Sequence, residues 1–127
     1  MTRHDDLAAT LVDLLHQALH LPVRARRMFG GHGFYADDLF IAVLVDGMFH
    51  LKTSADTRAV FEAQGLPPWV YHREGKPVTM GFHPVPEAAL EEAEALRPWA
   101  RLALQAALSA RQPRTTPGKR PNPRRIT

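Results

Sequence analysis

The stretch that most constrains this chain is the apolar run Leu39–Val45, LFIAVLV, held between Asp37-Asp38 before it and Asp46-Gly47 after it. Asp-Gly between two strand-like runs is a strong hairpin signal. A tight primed turn needs positive φ, which Gly tolerates freely and Asp better than most residues. With Asp46 and Gly47 as the loop, Val45 faces Met48, Leu44 faces Phe49, Val43 faces His50, Ala42 faces Leu51 and Ile41 faces Lys52. Strand alternation then puts Phe40, Ala42, Leu44, Phe49 and Leu51 on one face, all apolar. The other face mixes Ile41, Val43 and Val45 with Met48, His50 and Lys52. It is expected to be half covered, with His50 more accessible than Phe49.

The remaining segments arrange themselves around this hairpin. Residues 5–19 have Leu7, Leu11, Leu14, Leu15 and Ala18 at helical spacing, with Asp5 and Asp6 in the favourable first turn and Pro22 beyond the end. Residues 23–29 form an arginine-rich strand, broken by Gly30-Gly31-His32-Gly33, where a bulge or sharp turn is expected. Phe34 and Tyr35 open the next strand, which Asp37-Asp38 kinks or turns. After the hairpin, Thr53 and Ser54 are candidate N-caps for a helix to about Gln64, with Gly65 as its stop. Its expected buried stripe is Ala55, Ala59, Ala63 and Leu66, with Val60 or Phe61 beside them.

A second hairpin follows, with Glu74-Gly75 as its turn. Tyr71 faces Val78 and Trp69 faces Met80 on a large apolar face, expected to lie under helices. Pro86 suits the first position of a further helix, and Pro98 predicts a break near Leu96-Arg97 with a fresh start at Pro98. Trp99, Leu102, Ala103, Ala106 and Ala107 line the last helix, ending near Ala110. The expected order is helix, three strands, helix, two strands, helix: an α+β domain with one mainly antiparallel five-stranded sheet.

At 127 residues the chain suits one domain, expected over 1–110, followed by a tail at 111–127. There is no run of the ~18 apolar residues that a membrane span needs, and MTRHDDLAAT lacks the apolar core of a signal peptide, so the cytoplasm is the expected compartment. The absence of cysteine excludes disulfides and thiolate metal sites. The net charge of +3 divides unevenly: residues 1–110 hold ten Lys and Arg against all 13 acids, a balance of −3. The tail holds Arg111, Arg114, Lys119, Arg120, Arg124 and Arg125 and no acid, a balance of +6. Its Pro-rich polar composition cannot bury a core, so it is expected to be disordered. Those six residues are the candidate nucleic-acid contacts, held to phosphates by charge alone because no aromatic is present to stack on bases. A solubilising tail is the equally simple reading, and the high pI gives no reason to expect a basic groove on the body.

Chemical-looking residues in the body each have a plainer reading. His16 and His20 are four apart on a helix, a chelating spacing without a nearby third ligand, so no metal is expected. Gly30-Gly31-His32-Gly33 lacks the pattern of a phosphate loop and joins strands, which favours a turn or bulge. Asp37, Asp38 and Asp46 suit turns better than a catalytic carboxylate pair. Arg24, Arg26 and Arg27 suit a solvated strand edge that discourages pairing, with a partner site as the other reading. No nucleophile–base pair or cofactor motif is visible, so neither enzymatic activity nor a cofactor is expected.

Several segments, in order, carry a family resemblance. RRMFGGHGFYADDLFIAVLVDGMFHLK resembles the signature of the TfoX/Sxy N-terminal domain, a basic-Met-Phe-Gly-Gly-x-Gly segment before an apolar strand, a turn and a Lys-ending strand. Trp69-Val70-Tyr71, Gly75-Lys76-Pro77, Met80, Val85-Pro86-Glu87 and Trp99-Ala100-Arg101 agree, over roughly residues 7 to 110. The resemblance implies a fold similar to secretion-chaperone-like domains. It also implies a competence-related regulatory role, in which family members assist a transcription factor at its promoters, usually with a second helical domain where this chain has a basic tail. The expectation is a non-enzymatic interaction module acting through protein partners, with a homodimer also open and no membrane partner. Nucleic-acid association through the tail is the alternative.

Overall fold

The computed structural model describes residues 3–28 and 30–111. In chain order come α1 (Arg3–Leu19), β1 (Val23–Met28), β2 (Gly31–Ala36), β3 (Leu39–Val45), β4 (Met48–Lys52), α2 (Arg58–Ala63), β5 (Val70–Arg73), β6 (Lys76–Thr79), β7 (Phe82–Pro84), a 3-10 helix (Glu87–Leu90) and α3 (Ala93–Arg111). The fold class is the expected α+β, with an antiparallel five-stranded sheet in the order β1-β2-β3-β4-β7.

The central hairpin has the register that its turn dictates. Val45 pairs with Met48, Leu44 with Phe49, Val43 with His50 and Ala42 with Leu51. Asp46 and Gly47 sit at φ 53° and 76°, the two positive angles of a primed turn. Asp37 and Asp38, at φ 50° and 71°, make a second such turn, the turn and not the kink of the two expected alternatives. The segment counted as one strand in the expected order is therefore the two strands β2 and β3.

The pairing of β2 with β3 contains a register shift. His32, Gly33 and Phe34 oppose Leu44, Val43 and Ala42, but Tyr35 opposes Phe40, which leaves Ile41 as the extra residue of a bulge. This corrects the expected face assignment. Phe40 leaves the side of Ala42 and Leu44 and stands beside Tyr35 on the other face, while the bulged Ile41 is fully buried.

One face of the sheet is roofed by α1 and α3. Phe34, Ala36, Leu39, Ala42, Leu44, Phe49 and Leu51 pack with Ala8, Leu11, Leu15 and Ala18 of α1 and Leu96, Ala100, Ala103 and Ala107 of α3. The alanines let α3 lie close to the strands. Leu7, expected in the stripe, is exposed, and Ala8 takes the inward position instead. Arg97 ties the two helices by donating from Nε to the Ala18 carbonyl at 2.8 Å, which satisfies an end group of α1.

Three further expectations are corrected. Pro98 lies inside α3 and does not break it. The lost bond to the Glu94 carbonyl is outweighed by an apolar stripe, Leu96 to Ala107, that is buried on both sides of the proline. Pro86 stands as the N-cap of the 3-10 helix and not as its first residue. In α2 the helix starts only at Arg58, because Ser54 and Thr57 close a local turn first: the Thr57 and Arg58 N–H groups both donate to the Ser54 carbonyl. The alanines of α2 are exposed and Phe61 alone is fully buried.

Candidate interaction surfaces and a Thr-His-Glu chain

The face of the sheet away from α1 and α3 is partly open and aromatic. Tyr35 and Phe40 are stacked with centroids 5.1 Å apart, Phe40 meets Phe82 at 5.5 Å, and Phe82 meets Trp69 at 6.1 Å. Cations lie on these rings. Arg24 Cζ is 4.8 Å and Arg26 Cζ 6.0 Å from the Tyr35 centroid, and Lys52 Nζ is 5.8 Å from Phe40 and 5.3 Å from Phe82. Burial pushes the Lys52 ammonium below its ordinary pKa. Arg27, one residue out of phase, points to the helical side and binds Asp5 at 2.6 Å. The expected arginine cluster is therefore split between the two faces.

The β5–β6 hairpin departs from expectation. Its register is the expected one, Tyr71 opposite Val78 and His72 opposite Pro77, but it forms a separate two-stranded sheet. All eight of its strand residues are exposed, where a covered apolar face was expected. It is rooted by Trp69, whose N–H donates to the Phe82 carbonyl at 2.8 Å and whose ring lies against His50 and Phe82.

That ring explains a second correction, since His50 is 8% exposed against 6% for Phe49. Desolvation by burial holds the His50 pKa below its ordinary 6.5, against the opposing effect of its hydrogen bond to the Met48 carbonyl and with a smaller lowering by His83. A buried imidazole that resists protonation binds fewer protons folded than unfolded. Its stabilising effect is present above pH 6.5 and lost as pH falls below that value. The melting temperature of the parent should thus drop more steeply between about pH 7 and about pH 5 than that of His50→Gln. Equal slopes in the two melting series would locate the acid sensitivity elsewhere.

A polar chain lies at the end of the sheet. The His83 Nε2–H donates to the Glu62 carboxylate at 3.1 Å, which leaves Nδ1 to accept from the Thr53 hydroxyl at 2.8 Å. The three line a cleft of about 300 Å³ with Ser54, Arg58 and Met80 among its other walls. Hydroxyl, imidazole and carboxylate in series is the order of an activated nucleophile. Here the hydroxyl is on a β-branched residue that is itself buried, as is His83. What the chain does mechanically is join the end of β4, α2 and β7. Sequence inspection missed it because its members are 21 and 30 residues apart, with no motif to link them.

The other sequence candidates fall as follows. His16 lies at the end of α1 and bonds the Leu21 carbonyl at 2.7 Å, while His20 has left the helix at φ 57°. His32 donates from Nε2 to Asp5 at 3.1 Å, and its buried Nδ1 has no hydrogen-bond partner among the described residues. Among the described residues no group of three His, Asp or Glu could hold a metal, and no helix is long and apolar enough to cross a membrane. The tail candidates Arg114, Lys119, Arg120, Arg124 and Arg125 lie outside the described residues, and Arg111 is described only as the last residue of α3.

None of the curated proteins compared with the chain matches it. The model of the TfoX N-terminal domain family matches residues 13–107. That span takes in the whole sheet, its bulge, the separate hairpin and the Thr53–His83–Glu62 chain, so the protein belongs to the TfoX N-terminal domain family.

Proposed function

We propose that this domain is a non-enzymatic interaction module in transcriptional regulation, and that a protein partner docks on the β5–β6 hairpin. Family membership supports the regulatory, competence-related part of this reading. The observation that carries the docking part is the hairpin itself. It exposes Val70, Tyr71 and Val78, at 40%, 53% and 41%, on two strands that among the described residues pair only with each other. A two-stranded hairpin is marginal alone in water, and a partner laid on Tyr71 and Val78 supplies the missing layer. Tyrosine is also among the residues enriched at the energetic centres of protein interfaces. An enzymatic role has less support, because the hydroxyl–imidazole pair in the cleft, Thr53 and His83, is buried and already engaged.

The test is a comparison of the full chain with Tyr71→Ser/Val78→Ser as baits in native lysate, each with and without nuclease. Partners that survive nuclease and are lost by the double variant are the expected result. Partners held equally by both baits but lost with nuclease would favour the alternative, nucleic-acid association through the basic tail.

A further inference from the structure

The open face of the main sheet is a different surface from the hairpin, and its charge is one-sided. Among the described residues none of the seven strands carries a carboxylate. The acids between the strands of the main hairpins, Asp37, Asp38 and Asp46, all sit in turns at positive φ. Three cations, Arg24, Arg26 and Lys52, lie over rings on this face. Asp38 alone among the described residues pairs with one of them, reaching Arg24 at 3.3 Å with both side chains more than half exposed. Such a surface pair is weak and exchanges readily for another anion. Arg26 and Lys52 have no carboxylate partner among the described residues.

We propose that this face is a platform for single-stranded nucleic acid, with Tyr35 and Phe40 stacking on unpaired bases and Arg24, Arg26 and Lys52 taking the phosphates. The bulge at Ile41 is what makes the platform, because it brings Phe40 to the open side next to Tyr35, the two rings inclined by only 23°. Flat rings interleaved with cations are the recurring way to hold a single strand without reading its sequence. A duplex hides the base faces that such rings need. An acidic polypeptide would satisfy the cations but offers nothing flat to the ring pair. Lys52 adds a reason for an anion at this point: desolvation disfavours its half-buried ammonium, and a phosphate nearby offsets that penalty. Binding on this face belongs to the folded body, independently of both the hairpin and the tail.

The experiment uses the full chain and a fluorescein-labelled oligothymidylate of about 12 nucleotides, a length within the span of one small binding domain. Anisotropy titrations at several salt concentrations compare the parent with Tyr35→Leu, Phe40→Leu and Arg26→Gln/Lys52→Gln. Every protein carries the same tail, so differences report the face. Tyr35→Leu should weaken single-strand binding about tenfold and leave binding to a duplex of the same length unchanged. The double charge variant should flatten the log affinity–log salt slope by about 1.4, at roughly 0.7 per phosphate contact on a single strand. Arg26 is exposed and Lys52 half-buried, so that variant keeps the test decisive even where Phe40→Leu fails to fold. Parent-like binding by the leucine variants, or an unchanged salt slope, overturns the proposal. Polyglutamate displacing the labelled strand as readily as unlabelled oligothymidylate also overturns it, and assigns the face to an acidic protein.

Discussion

Gly31→Ala is expected to destabilise the domain by about 3 kcal/mol or more, well beyond an ordinary substitution. A Cβ at this position would overlap the Leu44 carbonyl oxygen and lie 3.1 Å from the Leu44 carbonyl carbon and 3.3 Å from Val45 Cα. Those are backbone atoms of β3, the middle strand of the sheet, and they can yield only if β2 and β3 separate. The neighbouring glycines make the comparison sharp. At Gly33 a Cβ meets Met28 Sδ at 2.6 Å and the Phe40 ring edge at 2.9 Å, side-chain atoms of which the methionine can swing away. At Gly30 there is open space and only a φ of 73° to strain the substitution, worth about 1 kcal/mol. Chemical denaturation of the three alanine variants should rank Gly31 far above the other two. Equal losses at Gly30 and Gly31 would mean that close approach of backbone is not what Gly31 serves.

The same region shows where the sequence was legible and where it was not. Asp46-Gly47 fixed the hairpin register because its turn chemistry admits few alternatives, and the four pairs follow from it. The bulge at Ile41 left no trace in LFIAVLV. With apolar residues on both faces, a shift of one residue carries no hydrophobic penalty that a pattern could reveal. His50 was misjudged for a related reason: its cover, Trp69, arrives from 19 positions later in the chain. The second hairpin has the alternation of a half-buried strand pair, and that pattern is the same whether the apolar side meets this domain or something outside it. Pro98 is a sound local stop signal overridden by tertiary packing.

The candidate surfaces were legible in their parts but not in their assembly. A body with ten cations and 13 acids has no net basic character, yet strand parity sorts Arg24 and Arg26 to one face and Arg27 to the other. Counting charge along the chain cannot see that sorting. Thr53, Glu62 and His83 were likewise visible singly, and only the pairing of β7 beside β4 brings Thr53 and His83 within a hydrogen bond.

Phe61→Ala should lower stability by about 3–5 kcal/mol and release α2 from the body. Phe61 is fully buried and meets Trp99 of α3 edge-on at 4.9 Å and His83 of β7 at 5.5 Å. It is the one buried side chain of a six-residue helix, which is too short to persist without tertiary contacts. Glu62 is carried on the same helix, so losing the phenyl anchor should also loosen the carboxylate end of the Thr53–His83–Glu62 chain. Glu62→Gln separates the two contributions: Glu62 is half exposed, and glutamine retains an oxygen to accept from His83 Nε2–H. That variant should stay near parent stability. Denaturant titrations give the losses, and amide hydrogen exchange over residues 58–63 shows whether α2 opens on its own. Faster exchange confined to that segment in Phe61→Ala is the expected pattern. Parent-like exchange there, or a larger loss in Glu62→Gln, would mean that the polar chain and not the phenyl ring holds α2 in place.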